Sequence, residues 1–423
     1  MFKVESFEIY GFWHRFDVRC GFNDDVNIII GRNGTGKTTF MNILHSVLTV
    51  DLNGLSENEF HSAKVTLKKG KNKKTIKVTR LKDEHHPYPT VEYQISNKKY
   101  HLRIISSDDR RLSPHIRRRL TEESLEIRQE MDRLTSVSSL SVYRLRHDDE
   151  YEVRDRHGSR VISPVDYRLS QALYRLTEFQ LDLAEEAQKI SRALQKNVLA
   201  SILYGEDDAS DLLNLDFDKE EEQTSLVSAY SQLNVIDSDI RKKIRFHVSA
   251  IDKSINEVIE VKKNQEKPPS GIDFKPLEAL RKTRRIIELS LDAKKRTQEI
   301  YSQIDLFLKI IKEFIYDKDF SFSSGRLVIQ NEYGEIDHEK LSSGEKQLII
   351  LMVEALLQKR EHHIFLADEP ELSLHIIWQR KIIPAVKEIN PNSQVIVATH
   401  SPEVASKYKK NIFDMEKIVC GQI

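Results

Sequence analysis

Residues 27–40 read NIIIGRNGTGKTTF: an apolar run, a glycine-rich loop, then the helical pattern TTFMNILHSVL. No other stretch restricts the fold so strongly, because it sets a strand, a tight loop and a helix in one order. Gly31, Gly36, Lys37 and Thr38 hold the spacing G-x-x-x-x-G-K-[ST] of a phosphate-binding loop. The glycines let backbone N–H groups wrap phosphates at the positive end of the following helix. Lys37 can reach the β and γ phosphates, and the Thr38 hydroxyl can meet magnesium. A plain glycine turn between strand and helix is the bland alternative, and the setting favours nucleotide.

Three further stretches fit that reading. IFLADEPELSLH, residues 364–375, ends a buried strand on two acids. Asp368 is placed to hold magnesium, usually by way of a metal-bound water, and Glu369 to orient or deprotonate the attacking water. Pro370 and a third acid, Glu371, follow. QVIVATHSPE ends another buried strand at Thr399 and His400, whose imidazole can touch a γ-phosphate. KLSSGEKQL opens an apolar helix, with Ser342 or Ser343 as N-cap and Glu345 in the first turn. Capping is the plain reading of those serines; the functional one aims a second helix N-terminus at a γ-phosphate.

Around these motifs the periodicity changes twice. Residues 1–100 alternate in short strands, with Gly70-Lys71-Asn72 as a hairpin turn. From Asp166, Leu169, Leu173, Leu176, Leu183, Ala187, Ile190 and Leu194 recur at steps of four and three, with Gln180 at one expected apolar position. An acidic loop is expected at residues 204–223. Pro268, Pro269 and Gly271 break the helical sequence that follows. Ile300, Ile304, Phe307, Ile311 and Phe314 then form another stripe. Two helical segments with a breaker between them predict an antiparallel coiled-coil arm, with a compact helical subdomain as the alternative. After Phe320 strands and helices alternate, as in a parallel α/β sheet. The expected division is residues 1–165, 166–314 and 315–423.

Lys plus Arg and Asp plus Glu number 66 each, so contacts with nucleic acid must come from local patches. Such patches lie at Lys68, Lys69, Lys71, Lys73 and Lys74, at Arg110, Arg111, Arg117, Arg118 and Arg119, and at Arg281, Lys282, Arg284 and Arg285. Solvated faces are the default for such runs, and acids such as Asp108 and Asp109 lie close by. Cys20 and Cys420 are too few for a disulfide framework. No apolar run approaches the roughly 20 residues that span a bilayer. A cytoplasmic protein with no membrane partner is expected.

Together GRNGTGKTT, LSSGEKQ, FLADEPELSLH and ATHSPE resemble the ABC-type ATPase heads of the SMC and RecF group. Within it the motifs look most like the overcoming-lysogenization-defect class and its relatives in anti-phage systems such as PARIS, Septu and retrons. The resemblance covers the chain's two ends and says little about its middle. It implies an α/β ABC-ATPase head split by a helical insertion. ATP and Mg2+ would be held by Gly31, Asn33, Gly34, Gly36, Lys37, Thr38 and Thr39, with Thr38 and Asp368 on the metal. Catalysis would fall to Glu369 and His400. Ser343 stands where transporters usually carry glycine. The magnesium-sensing glutamine has one candidate, Gln94, for which an exposed strand position is the plainer reading.

In such heads the signature serine faces nucleotide on the other protomer. The resemblance therefore implies a homodimer, or a larger assembly, with Ser343 and Gly344 completing the partner's site. The chain ends soon after His400, leaving no room for a C-terminal Toprim nuclease domain, so a nuclease is expected as a separate protein. No Cys-x-x-Cys marks a zinc hook, and the insertion between residues 38 and 342 is far larger than in transporter ATPases. Two functions remain. The first is an ATPase sensor or scaffold of an anti-phage system that controls an effector when a phage protein triggers it. The second is a RecF-like repair ATPase that clamps DNA.

Overall fold

The computed structural model describes residues 1–81, 90–103, 114–140, 151–155, 158–202, 217–233, 235–264 and 275–421. The chain divides into two compact units, Met1–Glu178 with Leu306–Ile423, and Phe179–Asp305. The first unit opens with β1 (Lys3–Phe12), β2 (Phe16–Gly21), β3 (Val26–Ile30), α1 (Lys37–Thr49) and α2 (Leu52–Glu57). Then come β4 (Ser62–Lys69), β5 (Asn72–Leu81), β6 (Thr90–Ile95), β7 (Lys98–Arg103) and α3 (Pro114–Leu134). β8 (Val137–Leu140), β9 (Tyr151–Asp155) and β10 (Gly158–Ile162) precede α4 (Pro164–Ile202), which crosses the first boundary. The second unit holds α5 (Lys219–Gln232), α6 (Ser238–Asn264) and most of α7 (Lys275–Phe314). The first unit resumes with β11 (Asp319–Ser323), β12 (Arg326–Asn331), β13 (Gly334–Glu335), α8 (Ser343–Leu356) and β14 (Ile364–Asp368). It continues through α9 (Ile376–Gln379), α10 (Ile382–Ile389), β15 (Gln394–Ala398) and α11 (Pro402–Ala405). β16 (Ile412–Asp414), α12 (Met415–Ile418) and β17 (Val419–Gly421) close it.

Two main sheets organise the first unit. One is antiparallel, in the order β17-β2-β1-β4-β5-β6-β7. Its strands alternate because one face is covered: Ala63, Val65 and Leu67 of β4 are buried, while Ser62, Lys64 and Thr66 between them are not. Gly70 and Lys71 form a two-residue hairpin between Lys69 and Asn72, with Gly70 at φ 59°. Asn72 already belongs to β5. The other sheet is parallel throughout, in the order β16-β3-β15-β14-β8. β14 and β15 are buried at every position, which explains their unbroken apolar sequence.

Helix α1 joins the sheets. Phe40, Ile43, Leu44 and Val47 share one core with Phe7 and Ile9 of β1, Val65 of β4, Leu366 of β14 and Ile396 of β15. Each such side chain contributes about 1.5–3 kcal/mol by burial. Gln394 at the start of β15 accepts from the Val4 N–H (2.8 Å) and donates to the Val4 and Asn23 carbonyls (2.8 Å each), which fixes the antiparallel sheet to the parallel one.

In the second unit Val198 of α4, Leu226 and Ala229 of α5, Ile244 and Val248 of α6, and Ile286 and Ile287 of α7 form a common core. Four helices contribute to it. The expected acidic loop is corrected at its end: Lys219–Gln223 are helical, because the Asp218 carboxylate accepts from the Glu220 and Glu221 N–H groups and the acids sit in the favoured first turn. The rest of that loop through residue 216, Pro268, Pro269, Gly271, Asp108, Asp109, Arg110 and Arg111 lie outside the described residues; Arg117, Arg118 and Arg119 fall within α3. Among the described residues no helix is long and apolar enough to cross a membrane.

Candidate functional site

The parallel sheet brings the carboxyl ends of β3, β14 and β15 side by side, where such sheets bind ligands. β3 runs directly into Gly31-Arg32-Asn33-Gly34-Thr35-Gly36, and α1 starts at Lys37. Gly36 caps α1 in the left-handed region (φ 91°), and a Cβ there would come within 2.9 Å of the Phe12 and Trp13 rings. Gly34 is also left-handed (φ 82°), with open space where a Cβ would stand. The loop thus presents bare backbone. Asn33 and Gly34 are exposed, Gly31, Thr38 and Thr39 half-buried.

Lys37 reaches back over the loop, donating to the carbonyls of Gly31 (2.8 Å) and Arg32 (3.0 Å). Burial lowers its pKa from the ordinary lysine value, while Glu369, Asp368 and Glu371 pull the other way. All three acids therefore act electrostatically on the phosphate loop. Asp368, the last residue of β14, is 2% exposed and lies level with Ala398 of β15.

Glu369 follows at φ 49°, an uncommon conformation for a residue with a side chain, and its N–H donates to Ala398 (2.8 Å). Its Oε1 stands 3.7 Å from Nε2 of His400. The strand ends thus bring together Lys37, Asp368, Glu369 and His400, as the motifs anticipate. An open cleft of about 550 Å3 adjoins His400 and the start of the loop, bounded by Gly31, Arg32, Ser401, Lys409 and Asp414 among others.

Ser342 is the N-cap of α8 in a complete capping box: its Oγ accepts from the Glu345 N–H (3.3 Å), and Glu345 Oε2 accepts from the Ser342 N–H (2.8 Å). Glu345 also pairs with Lys318 (2.6 Å) and Lys346 with Asp166 (2.6 Å). Burial raises the pKa of Glu345, but the Lys318 ammonium and the Ser342 donors outweigh it and leave a net lowering. Ser343 is exposed. Gly344 is not: a Cβ there would stand 2.5 Å from the Ser373 carbonyl oxygen, so the signature helix rests on the chain just beyond Glu371.

Two placements bear on the sequence reading, one agreeing with its plainer alternative and one going beyond it. Gln94 sits on the open face of the antiparallel sheet, donating to the Ser96 carbonyl (2.8 Å) beside Lys64 and Lys77 in a hollow of about 620 Å3. Its neighbours Tyr93 and Ile95 take the buried face, so alternation turns Gln94 away from the core. Conversely Glu371, noted only as a third acid, is buried and gathers Thr399 Oγ (2.5 Å) and the N–H groups of His400 (2.8 Å) and Ser401 (3.1 Å) on one oxygen. Nothing local in the sequence signals those partners.

The donor set fits magnesium and a nucleotide. Thr38 and Asp368 offer hard oxygens, and the left-handed Gly34 and Gly36 shape a loop of bare backbone, Gly36 leaving no room for a Cβ against Phe12 and Trp13. Among the described residues no group of three or more His, Cys, Asp and Glu could hold a metal by itself.

The profile of a family described as "AAA ATPase domain" matches residues 2–405. The Septu protein PtuA of Bacillus thuringiensis is 34% identical over 109 residues, 21% of this chain and 27% of that protein. The "Retron Ec83 probable ATPase" of Escherichia coli is 29% identical over 129 residues, 26% of this chain and 24% of that protein. The match thus spans about a quarter of each curated relative. Among solved structures, the Smc head domain with an extended coiled coil bound to the C-terminal domain of ScpA, derived from Pyrococcus furiosus, aligns over 100% of this chain and 96% of that one, at 13% identity and a TM-score of 0.45.

Proposed function

The chain belongs to the AAA ATPase domain family, and from that premise we propose that it hydrolyses ATP as the sensor and scaffold subunit of an anti-phage defence system. In this role it controls a separate effector, a Toprim-type nuclease, and responds to a phage product. The observation that carries the hydrolytic part is the meeting of Lys37, Asp368, Glu369 and His400 at three adjacent strand ends. The defence role draws on the similarity to Septu and retron proteins.

The chemistry follows from the residues. The loop from Gly31 to Gly36 offers N–H donors to the phosphates, and Lys37 adds a cation. Thr38 and Asp368 would hold magnesium, which would supply positive charge against the phosphate oxygens. Glu369 takes the proton of the attacking water, and His400, whose ring nitrogen lies 3.7 Å from it, would contact the γ-phosphate. Ser343 and Gly344 complete the site of a second copy. In support of that pairing, Ser343 is exposed, and Leu372, Ile376 and Ile377, just past the acidic motif, are 45%, 53% and 57% exposed despite their apolar character.

Purified protein is expected to hydrolyse ATP with magnesium. Glu369→Gln should bind ATP but turn over about 10²-fold or more slowly, the scale of a lost general base. Lys37→Ala should lose ATP. A wild-type chain without turnover, or a Glu369→Gln chain at full rate, defeats the hydrolytic reading. In cells, protection against phage should need both this gene and its effector, and should vanish with Lys37→Ala.

The second reading, a DNA clamp, has the exposed Lys69, Lys71, Lys74 and Lys77 on the β4–β5 hairpin in its favour. Against it, Lys68 (3.6 Å) and Lys73 (2.6 Å) are paired with Glu5. Turnover stimulated by duplex DNA, with steep loss on adding salt, would favour the clamp.

A further inference from the structure

We propose that Glu371 is the positioning residue that locks the switch histidine to the acidic motif, so that His400 and Glu369 act as one unit. The inference rests on the hydrolytic reading above. Glu371 lies on the turn after β14, while Thr399, His400 and Ser401 follow β15. One oxygen of its carboxylate accepts three hydrogen bonds across that gap, from Thr399 Oγ at 2.5 Å, His400 N–H at 2.8 Å and Ser401 N–H at 3.1 Å. Thr399 Oγ in turn accepts from the Ser401 N–H (2.9 Å).

The anchor is rigid. Glu371 is 8% exposed and Thr399 0%, and bonds to a charged acceptor in such a setting are roughly twice as strong as neutral ones. With the backbone on both sides of His400 held, the imidazole has little freedom except about its own side-chain torsions. The Glu369 N–H bond to Ala398 closes the same gap from the other side. Two strand ends are therefore clasped by two reciprocal links, and the 3.7 Å separation of Glu369 and His400 is their product.

The other carboxylate oxygen of Glu371, Oε2, is buried and makes no hydrogen bond. A buried anionic oxygen left in this state is costly. Lys37 lies within its electrostatic reach and offsets part of that cost. Glu371 thereby connects phosphate loop, acidic motif and switch. Since the hydrogen bonds its carboxylate accepts all come from Thr399, His400 and Ser401, its effect on turnover is expected to pass chiefly through His400.

A double-mutant cycle tests this on the full chain. Glu371→Ala is expected to lower kcat about 10²-fold, the cost of a misplacement near 1 Å, while KM for ATP stays within about threefold. Glu371→Gln, whose amide oxygen can accept from the same donors, should recover most of that loss. In a His400→Ala background Glu371→Ala should cost nothing further, because the residue it positions is gone. Equal, multiplicative losses in both backgrounds would overturn the proposal. So would parallel loss of kcat and ATP binding in Glu371→Ala with no recovery in Glu371→Gln, which marks a folding role. A wild-type enzyme without turnover would instead overturn the hydrolytic reading on which the cycle depends.

Discussion

His363, immediately before β14, shows how one side chain can tie stability to pH. Burial, helped by the nearby Arg175 guanidinium, lowers its pKa from the ordinary value near 6.5 to about 4. Its Nε2 is buried without a hydrogen bond, so the neutral ring is the form the fold accepts. Between pH 6.5 and 4 the unfolded chain then binds the proton and the folded chain does not, so stability falls as pH falls through that window. The loss amounts to about 3 kcal/mol once pH drops below the folded value. Replacing His363 by Gln should flatten that part of a plot of unfolding free energy against pH, measured by urea titration beside wild type; parallel curves would refute the assignment. At this scale the sequence was legible where chemistry is local. Gly36, Lys37 and Thr38 are consecutive, and Asp368 and Glu369 are neighbours, so spacing alone placed them. Glu371 was not legible, because its donors lie 28 to 30 positions away. Gln94 was read more plainly as an exposed strand residue, and alternation with the buried Tyr93 and Ile95 puts it there.

Elements were readable to the degree that their burial was regular. β14 and β15 are covered on both faces and look it, and of the stripe Ile300, Ile304, Phe307, Ile311 and Phe314 all are buried but the half-buried Ile300. β8 escaped notice. Its sequence is Val-Ser-Ser-Leu, yet it pairs in parallel with Ile364–Ala367 at the edge of the sheet, and Ser138 accepts from Gln358 (3.0 Å). An edge strand with a hydrogen-bonded serine needs no apolar run. A serine N-cap for α8 was foreseen, with Ser342 and Ser343 both open, but the fit of its first turn was not: Gly344 meets the backbone of Ser373, which itself holds φ 63°. Gly344→Ala must displace that backbone. It is expected to destabilise the protein by about 1–3 kcal/mol, the range for overpacking, and to shift the Ser373 turn. Thermal unfolding reads the first effect and ATP turnover the second, and an unaltered melting temperature would contradict the close approach.

For the whole molecule the open question is how many copies form a working site. A single chain carries one phosphate loop and one signature helix, and the apolar Leu372, Ile376 and Ile377 face solvent beside the acidic motif. A stable pair of chains buries about 1,200–2,000 Å2, more than three side chains supply, so bound nucleotide has to contribute to the contact. The association should then depend on ATP and persist only while hydrolysis is blocked. Glu369→Gln is therefore expected to run at 49.3 kDa without nucleotide and at twice that mass with ATP and magnesium, measured by light scattering after size exclusion. Adding Ser343→Arg should return the ATP-bound variant to the monomer mass, because an arginine would occupy the surface proposed to meet the partner's phosphate, while leaving ATP binding to its own phosphate loop intact. Were the Glu369→Gln chain to hold ATP and stay at 49.3 kDa, each head would have to complete its site alone or with a different protein, and Ser343 would lose its assigned role.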